Sequence, residues 1–300
     1  MNLLIKKDLI EDFSAQIICN GETAPQPVRV RIKNLLDLLD ISNSMLGYRD
    51  LPAGFDEVLR ADEFGKIDFQ NRINLLMLEL VLHFEKRYEL SGLPEVFIQV
   101  FQDNINRILR QIITGSQKIN SINNDIFLKD LGILRMTLVP CVSHLVFRNS
   151  GVPRRSIIQQ PLSRITQALA FFIRAKGFRP FMENHVHPAM LDQFNAQGRE
   201  HCYRLIAELF RYWPECKGLM GSSWYYDPVV SVISPRLAYL RCVPEQNGAL
   251  FLYAGTGPDV IQGAISKSST RRQIFNEGSY QPRRYLMVWL REDIQRYCGV

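Results

Sequence analysis

The spacing of apolar residues changes once along the chain, at Lys176-Gly177, and this change constrains the fold more than any other feature of the sequence. Before it, apolar residues recur every three or four positions, which is typical of helices that bury one face. The strongest examples are residues 68–90, with Asp68 as the expected N-cap, and residues 94–114, which Gly115 ends. The first 175 residues are therefore predicted to be helical, and the other predicted helices there are 30–41, 126–147, which Pro140 interrupts, and 161–176.

After Gly177, short apolar runs with strand character alternate with helical segments. Asn247-Gly248 is typical of a hairpin turn between two strands. The pattern predicts an α+β chain, with an all-helical N-terminal domain over residues 1–176 followed by an α/β domain with a mixed sheet over residues 177–300. The predicted strands are 178–186, 219–226, 236–243, 249–254 and 284–289, and the predicted helices are 189–212, 259–276 (interrupted near Ser268) and 291–297.

Composition excludes several classes of protein. The 300 residues are 46% hydrophobic and 22% charged, which is ordinary globular usage and excludes a disordered, collagenous or coiled-coil chain. The net charge of +6 favours anionic small molecules and does not favour nucleic acid, whose binders usually cluster their basic residues. The six cysteines form no CxxC pair, no secretory signal opens the sequence, and no apolar stretch is long enough to span a bilayer. We therefore expect a soluble, cytoplasmic protein with reduced thiols.

The first candidate site is the sequence Glu183-Asn184-His185-Val186-His187. Residues two apart on a strand point to the same face, so Glu183, His185 and His187 could converge, with His201 one helix later. Imidazole and carboxylate groups suit Zn²⁺ or non-haem iron, and they also suit acid–base catalysis without a metal. The alternative is a strand whose polar residues face solvent.

The second candidate site is GSSWYYDP, residues 221–228, at the end of a predicted strand. Aromatic rings could line a pocket in which Ser223 and Asp227 orient a ligand. The equally simple alternative is that Asp227 caps the following turn and Trp224 fills the core.

Two further segments could bind anions. Gly255-Thr256-Gly257 joins a predicted strand to a helix, and such turns can present backbone N–H groups to phosphate, although Asp259 in the first helical turn opposes this. Arg271 and Arg272, within SKSSTRR, could bind phosphate or carboxylate through forked hydrogen bonds. The alternatives are a loop that needs positive φ and a solvated basic face.

The predicted element order of residues 178–297, together with the sequence Leu252–Gly257, resembles the acyl-CoA N-acyltransferase (GNAT) superfamily. That family binds the pyrophosphate of CoA at the loop after its fourth strand, through a (Q/R)-x-x-G-x-(G/A) motif. Gly255 and Gly257 match the motif, Leu252 departs from it, and the chain ends before the last two strands that usually complete the family's sheet. The blocks SSWYYDP and SPRLAYL also resemble uncharacterised bacterial proteins, which implies no chemistry.

The resemblance implies an acyltransferase that binds acyl-CoA and acts on an amine. Gly255 and Gly257 would approach the pyrophosphate, Arg271 and Arg272 would bind the other phosphate, and Glu183, His185 or Asp227 would act as the base. Two alternatives stay open: a metal-dependent enzyme that uses His185, His187 and His201, and a non-enzymatic interaction protein. The helical domain could serve as a lid, a partner platform or the interface of a homodimer.

Overall fold

In a computed structural model of the chain, residues 7–21, 25–41 and 47–300 are described. The first six residues, which belong to the segment on which the expectation about a secretory signal rests, lie outside the described residues. The chain divides into two compact units, residues 1–140 and 141–300. The change of pattern after Lys176 therefore falls inside the second unit.

The described part of the first unit is helical as far as Leu134, as its apolar spacing predicts. Asp68 caps α4 by accepting a hydrogen bond from the Asn71 N–H (2.8 Å), and Gly92 and Gly115 end α5 and α6 in the left-handed conformation. The helices are α1 (Lys7–Asn20), α2 (Pro25–Ile41), α3 (Phe55–Leu59), α4 (Phe69–Leu82), α5 (Phe84–Ser91), α6 (Ile98–Thr114) and α7 (Asp125–Leu134).

The prediction that residues 1–176 are all helical is wrong at one place. The apolar segment 126–147 is helical only up to Leu134 and then forms β1 (Leu138–Cys141) and β2 (His144–Ser150). All four residues of β1 are buried, and a short, fully buried apolar run has no periodicity that separates a strand from a helix. Pro140 lies within β1 and does not kink a helix.

The second unit alternates strands and helices. Over the described residues, the structure confirms an α+β fold with one mixed sheet, whose six strands lie in the order β1-β2-β3-β4-β6-β5. The elements after β2 are α8 (Arg155–Ile158), α9 (Leu162–Arg174), β3 (Phe181–His185), α10 (Ala196–Tyr212), β4 (Gly218–Ser223), α11 (Pro228–Ile233), α12 (Tyr239–Gln246), β5 (Leu250–Tyr253), α13 (Pro258–Ile265), α14 (Ser269–Asn276), β6 (Tyr285–Leu290) and α15 (Arg291–Cys298).

The predicted strand 236–243 and the hairpin at Asn247-Gly248 are wrong. Residues 239–246 form helix α12, in which Arg241 and Glu245 pair one turn apart through two hydrogen bonds of 3.0 and 2.7 Å. Asn247 is the C-cap of this helix, and Gly248 takes the left-handed conformation (φ 91°) in the turn that leads to β5. An Asn-Gly pair supplies positive φ equally well at the end of a helix and in a hairpin.

One face of the sheet packs against α9. Phe172 of α9 contacts a buried cluster on β3, β4, β5 and β6, and its ring lies 6.5 Å from that of Phe181. The opposite face of β3 and β4 faces α10, where Arg199 is buried. None of the helices in the described ranges has the length and apolar character needed to cross a membrane.

Candidate functional site

Strands β3 and β4 are parallel and α10 connects them. A helix in this connection runs opposite to the strands, so its N-terminus lies at their carboxyl ends, where ligands usually bind in such units. Over the described residues, β3 and β4 are in register only at Met182↔Leu219 and Glu183↔Met220. Both strands continue beyond these pairs, and we call the space between residues 184–185 and 221–223 the β3–β4 opening.

The outer edges of both strands are paired to the end. β3 pairs with β2 as far as Leu145↔His185, and β4 pairs with β6 as far as Ser223↔Tyr285. The two strands are therefore held in place from outside, while over the described residues their facing edges form no further ladder pair after Glu183↔Met220. Backbone N–H and C=O groups in such an opening need another hydrogen-bond partner, because a buried backbone group without one is costly.

The N-terminus of α10 is built without acidic residues. Asn195 is its N-cap, and the side-chain oxygen of Asn195 accepts a hydrogen bond from the Gly198 N–H (2.9 Å). A Cβ on Gly198 would lie 2.1 Å from the carbonyl oxygen of Gln193, so only glycine allows the chain to enter the helix this closely. The first turn carries no Asp or Glu, which leaves the positive end of the helix dipole open to an anion.

Glu183 and His185 lie on the same face of β3, as the strand spacing predicts. His185 Nε2 is 3.9 Å from Glu183 Oε2, and the Ser150 hydroxyl donates a 2.6 Å hydrogen bond to the same carboxylate. The side chains are 28% (Glu183) and 14% (His185) exposed, and the Nε2 atom of His185 that faces Glu183 is itself buried. A carboxylate beside an imidazole can accept and return a proton.

Among the described residues the structure offers no site for the metal ion of the alternative hypothesis. His187 is buried at the start of a 3₁₀ turn, where its Nδ1 accepts a hydrogen bond from the Ala189 N–H (3.0 Å). His201 is exposed on α10. Across the described ranges no three His, Cys, Asp or Glu side chains are arranged to hold a metal ion. His185, His187 and His201 are not brought together because the chain turns directly after β3.

On the other face of β3, Asn184 bridges the two strands. Its amide nitrogen donates to the Met220 carbonyl (3.2 Å), and its amide oxygen accepts from Arg199 Nη2 (3.0 Å). Arg199 is 2% exposed and also donates to the hydroxyls of Tyr203 (2.8 Å) and Tyr226 (3.0 Å). The guanidinium therefore ties α10 to both strands beside the opening.

His144 of β2 completes this buried cluster. Its ring lies against Arg199 Nη1, which is 2.7 Å from its Nδ1, and the Ser143 hydroxyl is 2.9 Å from the same nitrogen. Burial, the Arg199 charge and His185 together hold the pKa of His144 well below the ordinary histidine value. A neutral ring can accept the hydrogen bond of the guanidinium.

At the end of β4, Ser222 is exposed and Ser223 is partly exposed, while Tyr225, Tyr226 and Asp227 are buried. Asp227 caps α11 by accepting a hydrogen bond from the Val229 N–H (3.1 Å), as the simpler interpretation predicts. Burial raises the pKa of Asp227 above its ordinary value. Its role as a catalytic base, like that of Ser223 in orienting a ligand, stays a prediction.

The remaining predicted anion-binding residues lie at the ends of α13 and α14. Gly255 has φ 98°, and Thr256 donates to the Pro282 carbonyl (2.7 Å). The buried Arg271 donates to the Ala264 carbonyl (2.6 Å) and to Ser234 Oγ (3.0 Å), and Arg272 donates to the Ser266 carbonyl (3.0 Å). These bonds hold the two helices together.

The loop 254–257 does not follow the fourth strand, where the family resemblance places the pyrophosphate. It follows β5, because the strands β1 and β2 precede the predicted ones and residues 236–243 form a helix. The proposed roles of Gly255, Gly257, Arg271 and Arg272 in cofactor binding stay predictions.

A cavity of about 810 Å³ in the second unit lies beside two of the predicted segments. Sequence reasoning missed it, because its basic and aromatic residues come from four separate stretches of chain with no common motif. Pro228 of the segment 221–228 and Thr256 of the segment 255–257 are among its lining residues. Its lining residues are Gln159, Gln160, Pro161, Arg164, Pro228, Arg241, Phe251, Tyr253, Thr256, Gln281, Arg283 and Tyr285.

Comparisons with known proteins give structural similarity only. No protein-family model matches the chain, and no curated protein matches it. An acyltransferase mutant in complex with octanoyl-CoA is similar with a TM-score of 0.48 and 12% identity, over 93% of this chain and 84% of that one. An acyltransferase in complex with CoA and 10C-teicoplanin has a TM-score of 0.43 and 12% identity, over 75% of this chain and 68% of that one. The ligands named are those of the other proteins.

Proposed function

We propose that this chain is an acyltransferase that binds acyl-CoA in the β3–β4 opening and transfers the acyl group to an amine. The observation that carries the proposal is the end of ladder pairing, after Glu183↔Met220, between two parallel strands whose outer edges remain paired. The pantetheine arm of CoA is an extended chain with two amide groups. Such a chain can make the hydrogen bonds that a neighbouring strand would otherwise make.

The N-terminus of α10 is the proposed position of the CoA pyrophosphate. It lies at the carboxyl end of the parallel pair, carries no acidic residue in its first turn, and presents there the N–H groups that precede the capped N–H of Gly198. Helix α13 after Gly257 is less suited, because Asp259 stands in its first turn. We therefore place the pyrophosphate at residues 195–198 rather than at residues 255–257.

Glu183 and His185 are the proposed proton carriers. The amine nitrogen attacks the thioester carbonyl carbon, so that a C–N bond forms and the C–S bond breaks. The nitrogen loses one proton to the Glu183–His185 pair, and the pair returns one proton to the departing CoA sulfur. The products are an amide and free CoA, and the pair ends in its starting state.

Binding of acetyl-CoA to the purified chain tests the cofactor assignment. At a concentration 100 times Kd, acetyl-CoA should raise the free energy of unfolding by about 2.7 kcal/mol. Gly257→Ala should leave the affinity unchanged, since the Gly257 backbone is extended (φ 176°) and a Cβ there would meet only Asp259 Oδ1, at 3.0 Å. Loss of acetyl-CoA affinity in that variant would indicate that the cofactor binds at the Gly255–Gly257 loop. The absence of any binding at millimolar acetyl-CoA would refute the proposal.

Release of free thiol from acetyl-CoA in the presence of a panel of amines tests the chemistry. Glu183→Gln should lower kcat by about 10²-fold or more, because the amide cannot take a proton. The matched control is Glu200→Gln on α10, which removes a carboxylate that pairs with Arg204 on the surface. An equal loss in both variants, or no loss in Glu183→Gln, would contradict the assigned role.

A further inference from the structure

The cavity beside β5 and β6 is lined by basic and aromatic side chains. Arg164, Arg241 and Arg283 reach it from three separate segments, and Phe251, Tyr253 and Tyr285 supply its apolar wall. No Asp or Glu is among its lining residues. A cavity of this character suits a ligand that combines an anionic group with a flat apolar part.

The charge of the cavity is only partly compensated. Arg241 makes a two-point contact with Glu245, so its charge is largely paired, and its guanidinium lies 4.3 Å from the centre of the Phe251 ring. Arg164 donates only to the neutral Gln167 (3.1 Å), and Arg283 is exposed. Within the described part of the chain neither Arg164 nor Arg283 forms an ion pair, and the buried Asp227 is close enough to Arg283 for their charges to interact.

The side chains of Gln160 and Arg241, which line the cavity, are fixed by hydrogen bonds within the protein. The Gln160 side chain pairs with both backbone groups of Tyr253: its Nε2 donates to the carbonyl (2.9 Å) and its Oε1 accepts from the N–H (3.1 Å). Arg241 Nη1 donates to the Tyr226 carbonyl (2.6 Å), which fixes the guanidinium against the aromatic wall. Gln160 and Arg241 are thus fixed in the cavity wall, whereas Arg164 and Arg283 are exposed and supply the charge for an anion.

The cavity and the β3–β4 opening lie at the same edge of the sheet. Ser223, at the end of β4, is directly opposite Tyr285 of β6, and Tyr285 is directly opposite Tyr253 of β5. Residues opposite each other in antiparallel strands are about 5 Å apart between Cα atoms. The opening is thus one strand away from the wall of the cavity.

We propose that this cavity binds the acyl acceptor, and that the acceptor is a molecule with a carboxylate or phosphate group and a flat apolar part. The proposal rests on the acyltransferase function proposed above. Arg164 and Arg283 bind the anionic group, the rings of Phe251, Tyr253 and Tyr285 contact the flat part, and the amine extends past Tyr285 towards the end of β4.

Phenyl phosphate and benzoate are the probes for binding, with benzamide as the neutral comparison. One of the two anions should bind the purified chain by calorimetry and benzamide should not, and the tighter of the two identifies the anionic group. The double variant Arg164→Ala/Arg283→Ala should weaken that binding at least tenfold. The control Arg155→Ala/Arg236→Ala removes two exposed arginines that do not line the cavity and changes the net charge equally.

The outcomes separate this proposal from the cofactor proposal. Binding lost in the first double variant and kept in the control, with unchanged acetyl-CoA affinity, supports the acceptor cavity. Equal loss in both double variants, or no binding of either anion, overturns it. Phenyl phosphate could also compete with acetyl-CoA, and the first double variant could bind acetyl-CoA more weakly. Together these two results would overturn the proposal, because they would show that the cavity belongs to the cofactor site. Failure of acetyl-CoA to bind while the anion does refutes the acyltransferase function alone.

Discussion

Arg199 is a buried cation whose described hydrogen bonds go to neutral groups. Its guanidinium donates to two tyrosine hydroxyls, to the amide of Asn184 and to His144. Taking a guanidinium out of water is costly, and hydrogen bonds to several oriented neutral groups offset part of that cost. The arrangement works only while His144 is uncharged, because a second cation at 2.7 Å would repel the first.

The stability of the protein should therefore depend on pH through His144. Burial and the charge of Arg199 lower the pKa of His144 in the folded state. Below the ordinary histidine pKa of about 6.5, His144 therefore binds a proton in the unfolded chain and does not bind one in the folded chain. The free energy of unfolding should fall as the pH drops below about 6.5 and be unaffected by this group above it. Urea unfolding at pH 7.5 and 5.5 measures the difference.

His144→Gln should remove this part of the pH dependence, since the glutamine oxygen can still accept a hydrogen bond from Arg199 and cannot be protonated in this range. The matched control His201→Gln, at an exposed position on α10, should keep it. A pH dependence that survives in His144→Gln would show that another group carries it.

At the scale of elements, the opening depends on a side chain that crosses between strands. The Asn184 amide reaches the Met220 carbonyl over the surface of Gly221, where a Cβ would lie 1.8 Å from the nearest amide atom. Asn184 is 7% exposed and held by Arg199, so it has little room to move aside. Gly221 is required here by the close approach of a side chain and not by its own backbone conformation.

Gly221→Ala should destabilise the protein by about 1–3 kcal/mol, the usual cost of overpacking, and should weaken acetyl-CoA binding because the bridge beside the opening is displaced. Thermal unfolding and calorimetry measure the two effects. The double variant Gly221→Ala/Asn184→Ala removes the clash, so part of the lost stability should return. Full stability in the single variant would contradict the described contact.

At the scale of the whole molecule, each of the two units contains buried aromatic side chains. In the first unit, the rings of Phe84 and Tyr88 pack around Phe101, with ring centres 5.2 and 5.6 Å from it, and Phe101 is fully buried. In the second unit, the largest buried side chain is Trp289 of β6, whose indole donates to the Asn247 carbonyl (2.8 Å). Each unit buries its own apolar side chains.

Phe101→Ala should destabilise the first unit by about 3–5 kcal/mol, because it leaves a cavity beside the rings of Phe84 and Tyr88. Hydrogen exchange should accelerate within residues 47–140 while acetyl-CoA still binds to the second unit at temperatures below its unfolding. Leu90→Ala, at a position that is 77% exposed, is the control and should change neither quantity. Equal acceleration of exchange in both units would show that they unfold together.

Local patterns in the sequence determined much of the fold. The repeat of apolar residues placed α4, α6 and α10, and the alternation after Gly177 predicted a mixed sheet with four of its strands, because these signals depend only on neighbouring residues. The spacing of Glu183 and His185 also predicted that their side chains share a face. Those parts of the fold and of the candidate site are visible without any tertiary contact.

Only the tertiary structure decided the rest. A buried run such as Leu138–Cys141 carries no period, and whether Asn247-Gly248 ends a helix or turns a hairpin depends on what the preceding residues pack against. The end of ladder pairing between β3 and β4, and the meeting of Arg164, Arg241 and Arg283 in one cavity, follow from strand order and from contacts distant in sequence. A local pattern cannot specify such contacts, because each is formed by residues that only the folded chain brings together.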